Sequence, residues 1–390
     1  MSSQSSAEKS QIRGREPVSE VWKTTRKEKH LTDSSVQVRT GGEVITSPTV
    51  SVIIPAYNTA SLIAAALDSV LAQTFRSFEA IVVNDGSPDT ADLERALAPY
   101  LGRIVYIVQN NRRAAGARNT GIRHARGEYL AFLDSDQVWF PRLLESQMRL
   151  FEQDPSPDLV YANEVAIRPG SRRIETFMEF CPSRGPCTFE SLVREDCHIP
   201  VSTVVARKRA IVEAGLFDEG LRCCDDYEMW LRVAHGGGRI AYQLEPLCSA
   251  SYGRPGSLGT NELNTSKAAV QILAKFEDME LSPAARAAVE ERAARERALL
   301  DLVQAKLQLQ SNQLTEAAES LRKANTYFRN PKYRMALVGL RAAPSLARQG
   351  VRLWIWLSTA SRRVRDSAHS ARDASCRPEV SRESATYGSR

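Results

Sequence analysis

Short runs of β-branched and aliphatic residues alternate with stretches of helical periodicity between residues 50 and 166, and this alternation limits the possible fold more than any other feature. The first run, at 50–54, ends at Pro55 and fits a buried strand, and apolar residues then recur at helical spacing over 62–71. The pattern continues with predicted strands at 78–83, 103–108, 129–133 and 159–166, and predicted helices at 90–98, 114–125 and 141–153. Such alternation predicts an α/β fold with a mostly parallel sheet flanked by helices on both faces.

Composition divides the chain into predicted segments. Residues 1–47 are polar and show no apolar periodicity, so we expect a disordered leader, and the α/β domain follows at 48–262. Residues 263–330 are rich in Ala, Glu, Arg and Leu and predict a helical hairpin extension. A basic amphipathic segment at 331–366 and a disordered tail at 367–390 complete the predicted organisation.

The positive charge is concentrated near the C-terminus. The formal net charge is +6, yet residues 331–377 alone hold ten Lys or Arg residues against two Asp, so the rest of the chain is near neutral. The stretch LWIWL at 353–357, next to Arg362 and Arg363, suits a segment that lies peripherally on a membrane surface. Two other interpretations stay open, namely a solvated basic tail and a helix whose tryptophans pack on the α/β domain. Nucleic acid is not an expected partner.

Several patterns are missing from the sequence, and their absence shapes the expected location. The N-terminal residues contain no apolar stretch typical of a secretory signal, and no run reaches the ~18 apolar residues that a membrane-spanning helix needs. The seven cysteines include no CxxC pair, so a zinc ribbon is not indicated. We therefore expect a cytoplasmic protein with reduced thiols, able to associate peripherally with the inner face of a membrane.

Carboxylates stand just beyond two of the predicted strands. Asp85 follows the strand at 78–83, and Asp134 and Asp136 follow the strand at 129–133. An unpaired charge is too costly to bury in a core, so these groups are expected at the rim of the sheet. Two carboxylates separated by one residue can lie close to one divalent ion, and hard oxygen ligands suit Mg²⁺ or Mn²⁺.

A second acidic pair, Asp225 and Asp226, opens a predicted helix at 227–235. Carboxylates in a first helical turn are favoured by the helix dipole, so a structural role competes with the role of a general base. The segment GARNTG at 116–121 has the glycine spacing of a phosphate loop but lacks the following Lys and Ser/Thr, and no GxGxxG follows a predicted strand. A phosphate loop and a dinucleotide oxidoreductase are therefore not indicated.

Taken in order, these motifs resemble family 2 glycosyltransferases, which are inverting enzymes with the Rossmann-like GT-A fold. The matching segments are VIIPAYN at 52–58, VVNDGSPDT at 82–90, ARNTG at 117–121, GEYLAFLDSD at 127–136 and DDYEMWLR at 225–232. Each motif is weak alone, but five in this order are jointly specific. The resemblance extends over about 48–258 and assigns a GT-A domain to 48–262.

The resemblance implies a role for each matching residue. The turn at 55–58 would hold the nucleotide, with Tyr57 stacked on the base and Asp85 bound to it by a hydrogen bond, while Arg118 would lie near the phosphates. The implied nucleotide-binding residues are Pro55, Ala56, Tyr57, Asn58, Asp85, Arg118, Asp134 and Ser135. Asp134 and Asp136 match the motif that holds Mn²⁺ or Mg²⁺, and Asp226 matches the catalytic base.

Two positions depart from the pattern of the family. Gln137 stands where a third acidic residue often follows the metal motif, and Arg254 stands where a histidine often precedes Pro-Gly-Ser. Arg254 would still contact phosphate through its guanidinium or take part in a loop contact.

The implied function is transfer of a sugar from a nucleoside diphosphate sugar to a hydroxyl of a saccharide or a lipid-linked acceptor, in cell-surface polysaccharide or glycolipid synthesis. Two alternatives stay open. One is a nucleotide-sugar-binding or scaffold protein with a degenerate transferase domain, which Gln137 and Arg254 favour. The other is a sugar nucleotidyltransferase, which the lack of a Gly-rich basic loop after the first predicted strand disfavours.

Overall fold

The computed structural model describes residues 36–40, 47–168, 174–252 and 261–342. Its strands are β1 (Gln37–Thr40), β2 (Val50–Ala56), β3 (Phe78–Asp85), β4 (Val105–Gln109), β5 (Tyr129–Phe132), β6 (Val138–Trp139), β7 (Leu159–Ile167), β8 (Glu175–Thr176), β9 (Val205–Arg207) and β10 (Ile240–Ser251). Its helices are α1 (Ile63–Leu71), α2 (Thr90–Leu97), α3 (Arg113–His124), α4 (Leu143–Gln153), α5 (Phe177–Phe180), α6 (Phe189–Val193), α7 (Lys208–Glu213), α8 (Asp225–His235), α9 (Glu262–Glu277), α10 (Pro283–Gln310), α11 (Leu314–Phe328) and α12 (Pro331–Ala342).

One mixed sheet organises the first part of the chain. The strand order is β1-β4-β3-β2-β5-β9-β7-β10-β6, with β8 paired to β7. Strands β4, β3, β2 and β5 are parallel to one another, as are β7 and β10, whereas β9 runs antiparallel to both β5 and β7. The predicted α/β architecture with a mostly parallel sheet and flanking helices is therefore confirmed.

The core lies between the sheet and the helices that connect its parallel strands. Strand β2 is buried along almost its whole length because helices cover both faces of a parallel sheet, which explains its unbroken apolar sequence. Helix α3 packs directly on β2: a Cβ added at Gly121 would lie 2.6 Å from Cγ2 of Ile53. Gly121, which lies in the segment with the glycine spacing of a phosphate loop, therefore allows α3 to pack closely on β2.

Three parallel strands end at the same edge of the sheet, and the polar residues that follow them are neighbours there. Ala56 is paired with Asn84, and Ile53 with Phe132, so the ends of β2, β3 and β5 lie side by side. In open α/β sheets this edge is where ligands bind.

The described residues divide into two compact units, with the division between Arg292 and Ala293. In the first, Lys275 of α9 forms ion pairs with Asp218 (2.5 Å) and Glu228 (2.7 Å), so α9 is tied to this unit. In the second, the C-terminal part of α10 packs with α11 and α12 around a small apolar core that includes Leu302, Leu321 and Tyr333. Helices at 283–310 and 314–328 agree with the predicted helical character of 263–330.

The structure tests the remaining predictions on the domain organisation only in part. Four residues of the predicted leader, Gln37–Thr40, form a strand that pairs with β4. Residues 1–35, 41–46, Arg254 and the whole stretch 343–390, which includes Trp354, Trp356 and the predicted tail, lie outside the described residues. The domain boundaries stay predictions. Within the described part of the chain, no helix is both long and apolar enough to cross a membrane.

Candidate functional site

Asp85 ends β3 as a buried carboxylate at the sheet edge. Its Oδ1 accepts hydrogen bonds from Nε2 of Gln109 (2.6 Å) and from the backbone N–H of Arg112 (2.7 Å). Its Oδ2 is buried and has no hydrogen-bond partner among the described residues. Burial raises the pKa of Asp85, and the hydrogen bonds offset part of that rise. An acceptor oxygen is therefore left to bind a ligand that brings its own donor.

The turns after β2 and β3 are tied to each other. The backbone N–H of Asn58, a residue with positive φ, donates to Oγ of Ser87 (2.6 Å), and the N–H of Ala60 donates to Oδ2 of Asp89 (2.9 Å). Tyr57, beside them, is 51% exposed. These contacts fix the predicted nucleotide-binding turn at 55–58 against the turn that follows Asp85.

Arg118 of α3 joins two carboxylates from distant parts of the chain. Its Nη1 donates to Oδ2 of Asp225 and its Nη2 to Oδ1 of Asp134, each at 2.7 Å, and only 5% of its side chain is exposed. The guanidinium also lies over the ring of Phe217, 5.5 Å from its centroid. Burial alone would lower the pKa of Arg118, but the neighbouring aspartates raise it, so the group stays charged.

The turn that follows β5 carries Asp134, Ser135 and Asp136. The backbone N–H of Asp134 donates to Oγ of Ser202 (3.0 Å), and Ser135 donates from its Oγ to Oγ1 of Thr59 (3.0 Å). The latter bond connects this turn to the turn after β2. Asp134 keeps 33% of its side chain exposed, and Asp136 is half-buried, so both carboxylates lie at the rim rather than in the core.

Asp225 and Asp226 begin α8, and the preceding Cys224 has a left-handed backbone with φ of 60°. Asp225 is held by Arg118, whereas Oδ1 of Asp226 accepts the backbone N–H of Tyr227 (2.8 Å). Burial and the adjacent charge of Asp225 raise the pKa of Asp226 to about 6, against the lowering influence of Arg118. The two neighbouring carboxylates thus differ: one is paired with a cation, and the other has an elevated proton affinity.

Buried ion pairs fix the position of α8. Within the helix, Glu228 and Arg232 form a pair at 2.6 Å with side chains 1% and 4% exposed, and Lys275 also reaches Glu228. Arg112 binds Glu219 through two guanidinium nitrogens, and Asn119 of α3 donates to both Glu219 and the carbonyl of Phe217. The start of α8 is therefore held close to α3 and to the edge of the sheet.

Glu164 of β7 is a further buried carboxylate beside this edge. One oxygen accepts the hydroxyl of Tyr252, and the other, Oε2, is buried without a hydrogen-bond partner in the part of the chain that the structure describes. Burial raises the pKa of Glu164 to about 7, and the charge of Asp134 adds to the rise while the bond to Tyr252 opposes it. Nothing in its local sequence separates this residue from an ordinary strand glutamate.

A divalent cation would have two protein carboxylates at the turn after β5. Asp134 directs one oxygen to Arg118, and Asp136 stands two residues on. The described residues contain no group of three or more His, Cys, Asp or Glu side chains placed to hold a metal alone. This donor set fits a hard cation whose remaining ligands come from substrate oxygens, and it does not fit a closed structural metal site.

The structure brings most of the predicted residues together. The turn at 55–58 is bonded to the turn that follows Asp85, Ser135 is bonded to Thr59, and Arg118 is bonded to Asp134. Arg118 also binds Asp225, and Asp226 follows Asp225 and is affected electrostatically by Arg118 and Asp134. Six supporting residues were not predicted from the sequence: Ser87, Asp89, Asn119, Glu164, Ser202 and Glu219. They act through contacts between distant segments, and no local pattern identifies them.

Comparison with protein families and curated sequences gives one consistent answer. The model of "Glycosyl transferase family 2" matches residues 51–207. The glycosyltransferase RP339 of Rickettsia prowazekii is 32% identical over 48% of this chain and 59% of its own length. The amylovoran biosynthesis glycosyltransferase AmsB of Erwinia amylovora is 30% identical over 51% of this chain and 68% of its own length. WfgD of Escherichia coli, named as a UDP-Glc:α-D-GlcNAc-diphosphoundecaprenol β-1,3-glucosyltransferase, is 28% identical over 58% of this chain and 86% of its own. The chain spans less than two thirds of the length of the Rickettsia relatives.

Two solved structures share the fold at low sequence identity. TarS residues 1–349 of S. aureus, in complex with UDP-GlcNAc, superposes with a TM-score of 0.52 at 19% identity, covering 77% of this chain and 87% of TarS 1–349. The mannosyltransferase PcManGT of Pyrobaculum calidifontis, in complex with GDP-Man and Mn²⁺, gives a TM-score of 0.52 at 21% identity, covering 83% of this chain and 88% of the other. At these identities the likeness concerns the fold.

Proposed function

Because the chain belongs to glycosyl transferase family 2, we propose that it transfers a sugar from a nucleoside diphosphate sugar to an acceptor hydroxyl with inversion at the anomeric carbon. The names of two relatives, one for amylovoran biosynthesis and one for a lipid-diphosphate acceptor, support a role in cell-surface polysaccharide or glycolipid synthesis. The observation that carries the proposal is the bridge from Asp134 through Arg118 to Asp225, which connects the end of β5 to the start of α8.

We assign the donor nucleotide to the edge formed by the turns after β2 and β3. The exposed ring of Tyr57 offers a face for stacking on the base, and the unpartnered Oδ2 of Asp85 would accept an N–H from that base. Arg118 is buried beside Asp134 and would stabilise the phosphates by its charge.

Asp226 is our candidate for the general base. In the proposed step, the acceptor hydroxyl gives its proton to the carboxylate of Asp226 while its oxygen forms a bond to the anomeric carbon. The bond from that carbon to the diphosphate oxygen breaks in the same displacement, so no covalent enzyme intermediate is needed. A pKa of about 6 leaves Asp226 ionised at neutral pH and still basic enough to take the proton.

Asp134 and Asp136 are the residues that would hold Mn²⁺ or Mg²⁺, with oxygens of the diphosphate completing the ligand set. When bound, such an ion neutralises the negative charge that develops on the departing diphosphate. The complex of PcManGT with GDP-Man and Mn²⁺ supports this choice of cofactor.

Thermal unfolding in the presence of nucleotide sugars tests the proposal. UDP-Glc, UDP-GlcNAc and GDP-Man are screened with Mn²⁺ and again with the metal chelated. A donor at about 100 times its Kd should stabilise the protein by about 2.7 kcal/mol, which corresponds to roughly 5 to 10 °C for a domain of this size. A donor that stabilises only with Mn²⁺, and from which nucleoside diphosphate is released on addition of an acceptor, supports the function. Stabilisation without any release would favour a nucleotide-sugar-binding protein.

We also propose peripheral contact with an anionic membrane through the basic segment. In the described part of that segment, α12, the side chains of Met335 and Val338 are exposed, and so are those of Lys332, Arg334 and Arg341. A helix that exposes apolar and basic side chains together is suited to the interface of an anionic bilayer.

A further inference from the structure

Four aromatic side chains gather beside the candidate site. Phe177 and Phe180 belong to α5, and Tyr252 follows β10. The rings of Phe177 and Tyr252 are stacked, with centroids 6.0 Å apart and planes 19° from parallel. Phe180 meets Tyr252 edge to face at 5.7 Å, and His198 meets Phe177 in the same manner at 6.3 Å. All four residues are half-buried, so the cluster is only partly covered by the rest of the protein.

This aromatic cluster is anchored to the sheet. The hydroxyl of Tyr252 donates to Glu164, and the amide oxygen of Asn163 accepts the backbone N–H of Met178, which holds α5 against β7. Oε2 of Glu164 keeps hydrogen-bonding capacity that the described residues do not use. Buried polar groups therefore hold the Tyr252 hydroxyl and the backbone of α5 in place, as expected for a preformed binding surface.

Strand register places the anchor next to the turn that holds the acidic pair. Glu164 of β7 is paired with Cys248 of β10, and Cys248 is paired in turn with Trp139 of β6. The Sγ of Cys248 donates to Oε1 of Gln137 (3.6 Å), the residue directly after Asp136. Asp134 also acts on Glu164 electrostatically. Glu164, which anchors the aromatic cluster, is thus connected to the turn that carries Asp134 and Asp136.

We propose that the rings of Phe177, Phe180 and Tyr252 form a platform for a saccharide ring of the acceptor, and that Glu164 positions this platform by holding the Tyr252 hydroxyl. Sugar rings present C–H faces that pack on aromatic rings, and hydroxyls that need polar partners. The inference rests on the proposed transferase function and specifies where its second substrate lies. Glu164 acts through Tyr252 and is a positioning residue.

Saturation-transfer NMR with simple glycosides tests the platform in the full-length protein. The probes are the methyl glycosides of glucose, galactose and N-acetylglucosamine, each added with UDP and Mn²⁺. At least one should receive saturation from the wild type, and its affinity should fall about three- to tenfold in Phe177→Ala and in Phe180→Ala, the loss expected for an aromatic contact of about 0.5 to 1.5 kcal/mol. Glu164→Ala should weaken binding, whereas Glu164→Gln, which can still accept the Tyr252 hydroxyl, should restore it.

Tyr252→Phe and Tyr100→Phe form a matched pair, because each loses a hydroxyl bound to a carboxylate, and Tyr100 binds Asp68 away from the site. Only Tyr252→Phe should weaken glycoside binding. Calorimetry of UDP with Mn²⁺ should give the wild-type affinity in every variant, which separates the platform from the donor site. The platform proposal is overturned if no probe binds the wild type, if the alanine variants bind as well as the wild type, or if UDP affinity falls in parallel. Failure of the transferase proposal would show instead as absence of donor binding to the wild type itself.

Discussion

Arg118 decides the charge balance of the candidate site, because one buried guanidinium compensates carboxylates from the end of β5 and the start of α8. Without it, the negative charges of Asp134, Asp225 and Asp226 would repel one another, with no cation to compensate them. Breaking a buried ion pair by removing one partner costs much more than breaking an exposed pair, since the remaining charge loses both water and its counter-ion.

Arg118→Gln should therefore lower the free energy of unfolding by about 3 to 5 kcal/mol. Arg142→Gln is the control, because the pair between Arg142 and Glu245 is exposed (62% and 45%) and its loss should cost about 1 kcal/mol or less. Urea unfolding measures both values. Equal costs for the two variants would show that the buried bridge does not hold the site together.

Asp226 should give the reaction a measurable dependence on pH. Its pKa of about 6 in the folded protein predicts that kcat/KM falls below pH 6 as the base takes up a proton.

The same elevated pKa, compared with the ordinary value of 3.8, means that ionised Asp226 destabilises the folded state at neutral pH. Asp226→Asn should therefore stabilise the protein by roughly 1 to 3 kcal/mol at pH 7 to 8, and the gain should disappear as the pH falls from about 6 to about 4. Urea unfolding at several pH values measures this gain, and a gain that does not depend on pH would contradict the assignment.

At the scale of elements, the turn after β3 depends on a glycine. Gly86 has φ of 65°, and a Cβ there would lie 2.8 Å from the backbone nitrogen of Asn111. Gly237 has φ of 87° with nothing within 4 Å of an added Cβ. Both positions demand a left-handed backbone, but only the first also lacks space.

Gly86→Ala should thus destabilise the protein more than Gly237→Ala, for which the left-handed conformation alone costs about 1 to 2 kcal/mol. Because Asp85 precedes Gly86, the first substitution should also weaken binding of the nucleotide, and the second should not. Chemical unfolding and calorimetry with UDP and Mn²⁺ measure the two effects. Equal destabilisation by both substitutions would mean that the close approach to Asn111 is relieved without cost.

The elements that could be predicted from the sequence are those with strong periodicity. Strands β2, β3, β5 and β7 and their connecting helices follow the predicted ranges closely, because both faces of a parallel sheet are buried and the strands read as unbroken apolar runs. Strands β6, β8 and β9 have only two or three residues, too few to produce a pattern, and β1 lies in a polar stretch.

The candidate site, too, could be predicted from the sequence only in part. Asp85, Asp134 and Asp136 could be predicted because each follows a readable strand, and Asp226 because it opens a helix within a motif. The ion pair between Arg118 and Asp225 joins residues 107 positions apart, and no spacing in the sequence predicts it. Glu164 lies inside a largely apolar strand, and its electrostatic interaction with Asp134 emerges only from the folded structure.

At the scale of the whole molecule, the predicted membership of the family and the predicted GT-A fold are both confirmed by the comparisons. The two compact units contribute differently to the proposed function. The first holds the proposed donor and acceptor sites, and the second carries the basic segment that we propose to meet a membrane.

A triple charge reversal in α12, Lys332→Glu with Arg334→Glu and Arg341→Glu, should weaken sedimentation with vesicles that contain phosphatidylglycerol. Each basic residue near such a surface contributes about 1 kcal/mol, so the loss should exceed tenfold at low salt. Arg103→Glu, at an exposed arginine in the first unit, serves as the control and should have a small effect. If the triple variant sediments like the wild type, α12 does not contact the bilayer.

The central claim is that carboxylates distant in sequence lie close together in the fold. Asp134 and Asp136 hold the cation that binds the diphosphate, and Asp226 removes the proton of the acceptor hydroxyl. The most direct measurement compares Asp226→Asn with Asp136→Ala, using turnover of the stabilising donor and calorimetry of UDP with Mn²⁺. We expect Asp226→Asn to lose at least 100-fold in turnover while its affinity for UDP with Mn²⁺ stays near the wild-type value, and Asp136→Ala to lose that affinity. Wild-type turnover in Asp226→Asn would contradict the account.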